Sequence, residues 1–237
     1  MALTPQNEEA FFREVDEELR RDQLGNVWRR YGRLFIGLVL VALAAFGGYL
    51  WWQAERDKAA GLAGEQLAGA IDALNDGKTG EADAKLKALA AGDQDGYSAL
   101  AKLTQAARKL QGGDERGAAA AYMEIALDKT IAEPLRDVAL VRGTAAAFDT
   151  LPPKTAIDRL APLVKPGNPW FGSAGEMTAV SWMKLGKPEK AAEIFAEIAK
   201  DKQVPESLRA RAVRISGALD VGAAAPAAAE PQKDKVE

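Results

Sequence analysis

The chain has 237 residues and a formal net charge of −3, and it contains neither histidine nor cysteine. These absences exclude histidine-based triads, thiol chemistry and nearly all zinc sites, so an enzyme would depend on carboxylates, serine, lysine or tyrosine alone. The small net charge says little about partners, and no nucleic-acid partner is expected. Alanine is abundant and β-branched runs are scarce, which favours helix almost everywhere. The composition therefore favours an all-α fold, and we predict a non-enzymatic protein without cofactors.

The first segment, residues 1–33, is predicted to be cytoplasmic and to contain a short amphipathic helix. Phe12, Val15 and Leu19 recur at helical spacing. Glutamates lie early in the segment and arginines late, as the helix dipole favours. The helix either rests on the inner surface of the membrane or contacts a cytoplasmic partner, and the sequence does not separate these alternatives.

Residues 34–52, LFIGLVLVALAAFGGYLWW, contain no charged residue and are predicted to form a transmembrane helix. At about 1.5 Å per residue they span roughly 28 Å, close to the hydrocarbon thickness of a bilayer. The alternative is a buried helix of a soluble core, which rarely stays apolar all round for this length. Aromatic residues flank the segment as in an interfacial belt. They are Trp28 and Tyr31 before its centre, and Tyr49, Trp51 and Trp52 after it.

The charges around this segment predict its orientation. Only Arg56 and Lys58 follow it closely, whereas the arginines before it include Arg20, Arg21, Arg29, Arg30 and Arg33. Arginine is retained on the cytoplasmic side of membranes, so the N-terminus is expected inside and the C-terminal part outside. No small-x-small cleavage site follows the apolar run, which indicates an uncleaved signal anchor. Ala44 and Gly48 form a small-xxx-small pair that would admit a second helix, although such pairs are frequent by chance.

Beyond the apolar segment the sequence repeats itself. The windows that begin at Gly113 and Gly186 align at an offset of 73 residues, and Tyr122 matches Phe195. This offset is about twice the length of one helical hairpin of about 36 residues, so one further hairpin fits between the windows, with helices predicted over Leu135 to Phe148 and Thr155 to Val164. Another precedes them, around the break at residues 75–77. The pattern predicts an α-solenoid of about four hairpins, followed by a last helix.

This spacing resembles the tetratricopeptide repeat. In the best unit, Ala179 and Ala191 take the small positions that let two helices touch. Trp182 and Phe195 take the large positions, and Gly186 forms the turn. The chain is thus predicted to consist of four parts. They are a cytoplasmic segment (1–33), a transmembrane helix (34–52), a tetratricopeptide-like periplasmic domain (53–220) and a disordered tail rich in alanine and proline (221–237).

The whole arrangement resembles one family. Its more telling residues are Gly96 to Ala101 at the start of a helix, Pro169-Trp170 before the last hairpin, and Gly175-Glu176 within it. Together with the anchor and the missing catalytic chemistry, they resemble the tetratricopeptide-like ancillary subunit family of the SecYEG translocon, the YfgM type. The resemblance implies a single-pass protein of the bacterial inner membrane. Its partners would be the SecYEG translocon, a membrane-anchored periplasmic peptidyl-prolyl isomerase and unfolded envelope proteins.

Two other classes of function remain open at this stage. The first is a structural adaptor of another envelope machine, for cell division or outer-membrane assembly, with the same architecture. The second is an enzyme that works with carboxylates alone. The pair Trp170-Phe171 has two interpretations as well, as an exposed anchor for a partner or as hydrophobic packing into the last hairpin.

The repeat register also predicts a binding groove lined by the first helix of each hairpin. Position 12 of these helices holds Leu74, Leu110, Phe148 and Met183, and the next position holds Asn75, Gln111, Asp149 and Lys184. The candidate protein-binding residues are Gln111, Phe148, Asp149, Met183 and Lys184. The alternative is that the apolar members only pack between neighbouring hairpins. No catalytic, cofactor-binding or metal-binding residue is predicted.

A reporter fused after Asp220 should be active only in the periplasm, because the arginines before the apolar segment hold the N-terminus inside. Moving Arg29, Arg30 and Arg33 to the far side of the segment should disturb this orientation. Paired periplasmic and cytoplasmic reporter activities measure both effects. A native chain whose C-terminal reporter works in the cytoplasm would contradict the predicted topology.

Overall fold

The computed structural model of the chain describes the backbone of residues 5–224 and the side chains of residues 30–219. Over these residues all regular secondary structure is helical, which confirms the all-α prediction. The helices are α1 (Pro5–Asn75), α2 (Thr79–Ala90), α3 (Asp95–Gln111), α4 (Glu115–Leu127), α5 (Glu133–Ala146), α6 (Pro153–Leu160), α7 (Phe171–Lys184), α8 (Pro188–Lys200) and α9 (Glu206–Ala224). The chain divides into two compact units, Met1–Gly61 and Leu62–Glu237.

The first unit contains the apolar part of α1, the one helix among the described residues that is long and apolar enough to cross a membrane. Its most apolar window has a mean hydropathy of 2.2 and is 0% buried. The core helix of a soluble domain would be mostly buried, so this exposure favours the interpretation as a membrane span. Membrane insertion and the boundaries 34–52 stay predictions, and the amphipathic side chains before Arg30 lie outside the described residues.

Aromatic rings and arginines meet near both ends of this apolar segment. The guanidinium carbon of Arg30 lies 5.9 Å from the ring centroid of Tyr31. At the other end, the guanidinium carbon of Arg56 lies 4.7 Å from the ring centroid of Trp52. Trp52 also lies beside Tyr49, with their ring centroids 6.3 Å apart. Rings beside cations are the groups that prefer the headgroup level of a bilayer, so the pairs mark the predicted interfaces.

The second unit consists of helical hairpins and a last helix. The end of α1 pairs with α2, and then α3 with α4, α5 with α6 and α7 with α8, while α9 packs on α8 and α7. Gly77, Gly113 and Gly186 follow the first helix of three hairpins and have φ angles of 74°, 82° and 71°. Residues other than glycine rarely adopt this left-handed conformation, so these glycines make the sharp turns possible. The tetratricopeptide-like solenoid predicted from the spacing is confirmed.

The offset of 73 residues recurs in the core of the second unit. Ala118 and its counterpart Ala191 are both completely buried, and so are the neighbouring large side chains. Matching pairs of buried residues are Tyr122 with Phe195, Ile125 with Ile198, Ile131 with Val204, and Ala139 with Ala212. The two windows therefore fold alike because the same positions face inward.

The turns within these windows, after α4 and after α8, are also alike. The Asp128 carboxylate accepts hydrogen bonds from the hydroxyl and the N–H of Thr130, at 2.6 and 3.0 Å. The Asp201 carboxylate accepts N–H groups from Gly167 at 3.1 Å and Gln203 at 2.8 Å. These hydrogen bonds favour the charged form and lower the pKa of both carboxyl groups below the usual range. An aspartate at the matching position therefore stabilises the turn after α4 and the turn after α8.

The third hairpin departs from the predicted pattern. Its second helix, expected over Thr155 to Val164, is only the short α6, which ends at Leu160. Its first helix ends at Ala146 rather than at Phe148. Pro152 precedes α6 and Pro153 is its first residue, so α5 and α6 cannot continue as one helix, because a residue that precedes proline is disfavoured in the helical conformation. Residues 147–150 therefore form a turn instead of a last helical turn.

The pair Trp170-Phe171 packs into the fold. Phe171 is 2% exposed and lies in the core of the last hairpin. Trp170 is half-buried against the cluster that joins α5, α6 and α7. These contacts favour hydrophobic packing over an exposed anchor for a partner.

Ala191→Leu should destabilise the second unit by roughly 1–3 kcal/mol, because the residue is fully buried and a larger side chain must displace its neighbours. Ala120→Leu, at an exposed position of α4, is the matched control and should change stability by about 0.5 kcal/mol or less. Urea unfolding followed by circular dichroism measures both variants on residues 53–220. Equal stability of the two variants would contradict the assigned repeat register.

Candidate protein-binding surface

The five candidate residues lie where the first helices of three consecutive hairpins end. Gln111 is the last residue of α3, and Met183 and Lys184 are the last two residues of α7. Phe148 and Asp149 belong to the turn after α5, two and three residues beyond its end. Because α5 packs against both α3 and α7, these ends belong to neighbouring elements of one unit. The sequence register was therefore right for α3 and α7, and wrong in placing Phe148 and Asp149 on a helix.

The structure brings Phe148 and Lys184 into contact. The Nζ atom of Lys184 lies 4.5 Å from the ring centroid of Phe148, across the boundary between the third and fourth hairpins. Such cation–π contacts contribute about 0.5–1 kcal/mol at exposed sites. The ring itself is half-buried. The side chains of Gln111 and Asp149 are exposed, and neither forms a hydrogen bond or ion pair with another described side chain.

The apolar residues of the predicted groove differ in their burial. Leu74 is half-buried and packs on the core of the first hairpin, as the packing alternative predicts. Leu110 is 39% exposed and Met183 is 40% exposed, so both present apolar surface to solvent. Leu185, just beyond α7, is 42% exposed. Apolar atoms of the predicted groove are therefore accessible at the ends of α3 and α7, with two such residues at the end of α7.

Two further lysines, Lys187 just before α8 and Lys190 in its first turn, were not among the candidates from the sequence. The Nζ atoms of Lys187 and Lys190 lie 5.4 and 4.4 Å from the ring centroid of Trp182. Trp182 was predicted as a core residue, and it packs on the core of the last hairpin. Its ring also contacts the two lysines. We call Phe148, Trp182, Lys184, Lys187 and Lys190 the basic-aromatic patch. In the sequence, the signal for this patch was the spacing of Lys184, Lys187 and Lys190 at intervals of three residues around Gly186.

A separate cavity of about 400 Å³ opens beside α3 and α4. Ile125 and Ile131 contribute buried apolar surface, and Lys102, Glu124 and Asp128 add charges of both signs. Among the described residues, no group of three or more acidic side chains is placed to hold a metal ion. The described residues that line this cavity thus form a mixed polar and apolar surface.

Stacked helical hairpins with accessible helix ends define a class of repeat domain that binds other proteins and is generally non-catalytic. The comparison with family models agrees with this class. The model of the tetratricopeptide repeat-like domain family matches residues 26–215, and the chain belongs to this family. No curated protein matches the chain, and no solved structure matches it either.

Replacing both Phe148 and Met183 by alanine should weaken partner capture, because a few side chains usually dominate an interface and each costs about 2 kcal/mol or more on truncation. The melting temperature should stay close to that of the wild type, since one side chain is half-buried and the other 40% exposed. Co-purification of the anchored chain and thermal melting of residues 53–220 measure the two effects.

Lys233→Ala, in the C-terminal tail, is the control for this double variant and should leave capture intact. A large drop in melting temperature would show that Phe148 and Met183 serve packing between hairpins. Full capture with unchanged melting would remove both residues from the binding surface.

Proposed function

We propose that the chain is a non-enzymatic scaffold anchored in the bacterial inner membrane, with its N-terminus in the cytoplasm and its repeat domain in the periplasm. The domain binds the SecYEG translocon and a membrane-anchored periplasmic peptidyl-prolyl isomerase. Through these partners it assists newly translocated envelope proteins while they are still unfolded.

The observation that carries this proposal is the extent of the family match. The match begins at residue 26, before the apolar segment, and continues to residue 215 in α9. The apolar helix and the hairpins therefore belong to one family pattern, which supports an anchor that stays joined to the hairpins. A protein-binding domain that carries its own apolar helix is suited to partners that are themselves in the membrane.

The surface of the repeat domain supports a role in protein recognition. Accessible apolar atoms of Met183 and Leu185 lie among charged side chains at the end of α7. Interfaces between proteins combine apolar centres with polar rims in this way. A chain without histidine and cysteine also lacks the usual general bases and thiol nucleophiles. Both features favour a scaffold over an enzyme.

The second candidate is a structural adaptor of another envelope machine, for cell division or outer-membrane assembly. The observations that favour it are the same helix and the same hairpins, since the architecture is common to both functions. The identity of the captured partners separates the two candidates.

The test is affinity purification of the tagged full chain from detergent-solubilised membranes, followed by mass spectrometry. We expect SecYEG subunits and a membrane-anchored isomerase to be enriched. The matched control keeps residues 1–52 and replaces the repeat domain by an unrelated soluble domain, and it should lose the isomerase. Enrichment of division or outer-membrane assembly proteins would support the adaptor instead. Recovery of the same proteins by the control would contradict a binding role for the hairpins.

A further inference from the structure

The segment from the end of α7 to the start of α8 carries a local excess of positive charge in a chain that is negative overall. Residues 182–190 contain three lysines and one glutamate, a formal charge of +2. The matching residues 109–117 of the second hairpin contain one lysine, one arginine, one aspartate and one glutamate, a formal charge of zero. The two hairpins share their buried core, so the difference in charge is not required by the fold.

The three lysines are available for an external partner. None of Lys184, Lys187 and Lys190 forms an ion pair with any residue that the structure describes. Each ammonium group instead lies within 5.4 Å of an aromatic ring centroid. A ring holds a cation in place without neutralising it, which lowers the entropic cost of ordering the side chain on binding.

The lysines lie on both sides of an apolar centre. Successive helical residues are rotated by about 100°, so Trp182 and Lys184 point to different sides of the last turn of α7, with Met183 between them. Because Lys187 and Lys190 lie over the Trp182 ring, they are on the opposite side of Met183 from Lys184. Met183 is 40% exposed. Glu189 and Glu193, the acids nearest in sequence to Lys187 and Lys190, form no ion pair with these lysines. The surface therefore matches a ligand with carboxylates on either side of an apolar side chain.

We propose that the basic-aromatic patch and Met183 bind an extended acidic segment of a partner protein. The carboxylates of the segment pair with Lys184 on one side and with Lys187 and Lys190 on the other, and an apolar side chain of the segment rests on Met183. This inference depends on the proposed scaffold function and adds the chemistry of the segment that the scaffold recognises.

The binding experiment uses the full chain in nanodiscs of neutral phosphatidylcholine. The probe is a fluorescein-labelled peptide in which Glu alternates with Ala and Leu, and the matched control peptide has Gln in place of every Glu. Fluorescence anisotropy should show that the Glu peptide binds about tenfold more tightly or better, as expected for charge-assisted hydrogen bonds. Raised salt should weaken this binding. Equal affinity for the two peptides would overturn the proposal.

Variants then locate the binding site. Replacing Lys184, Lys187 and Lys190 by alanine should weaken Glu-peptide binding at least about tenfold. The control variant replaces three exposed lysines of other hairpins by alanine and should change affinity by less than about twofold. These lysines are Lys78, Lys87 and Lys129. Equal losses in the two triple variants would overturn the assignment to this patch.

A single substitution separates binding from folding. Position 187 corresponds to Asp114, which caps α4 by accepting the N–H of Gly117 at 2.8 Å. Lys187→Asp should place a capping carboxylate at the start of α8, in another side-chain orientation because Lys190 has a Cβ where Gly117 has none. The substitution should raise the melting temperature, while it weakens binding of the Glu peptide. A variant that is more stable and still binds at wild-type affinity would exclude Lys187 from the site and contradict the proposal.

Two other occupants are outcomes of the same experiment. Capture of added phosphatidylglycerol vesicles without binding of the Glu peptide would assign the patch to lipid headgroups and overturn the proposal. If deletion of residues 225–237 raises the affinity for the Glu peptide about tenfold, the patch is occupied by the chain's own C-terminal end, and the proposal is overturned.

The triple-alanine patch variant is also purified from membranes. Undiminished recovery of both the SecYEG subunits and the isomerase would refute this inference alone, whereas failure of the wild type to recover them refutes the scaffold function itself.

Discussion

Contact between helices at fully buried alanines is the constraint on which the repeat domain depends. A side chain of one carbon lets two helix backbones approach closely, and the larger residues beside it fill the space to the next hairpin. The alanines with no exposed surface occur in nearly every helix of the second unit. They are Ala70, Ala82, Ala101, Ala106, Ala118, Ala139, Ala174, Ala179 and Ala191. Ion pairs such as Arg108–Asp83 and Arg211–Glu176 are added at the surface of these packed helices, where they contribute little.

The same constraint explains where the accessible chemistry lies. Residues in the middle of each helix are committed to the neighbouring helices, whereas those in the last turn extend beyond the contact. At the end of α7, Met183 and Lys184 are exposed although Ala179, one turn earlier, is fully buried. A binding surface at the helix ends can therefore change its charge without disturbing the core. The second and fourth hairpins show this directly, because they share buried residues and differ in charge around the turn.

Much of this fold could be predicted from the sequence, because buried apolar residues recur at regular intervals along it. The offset of 73 residues identified Ala118 with Ala191 and Tyr122 with Phe195, and all four are buried. Periodicity does not report how a hairpin ends when its turn lacks the usual glycine, so the early end of α5 was missed. It also does not report contacts across a turn. The lysines that lie over Trp182 follow Gly186 in the sequence. A prediction that considers only the first helix of each hairpin does not include them.

The pattern of contacts between helices also bears on how the domain acquires its structure. In the described part of the second unit, every helix packs against its immediate neighbours in sequence or the next but one, as α5 does with α3 and α7. Proteins with such low contact order fold quickly, since little loop entropy is lost before each contact forms. A hairpin here can close as soon as its own residues are available, without waiting for the C-terminal helix. The domain is thus suited to stepwise folding during synthesis, from its N-terminal hairpin onward.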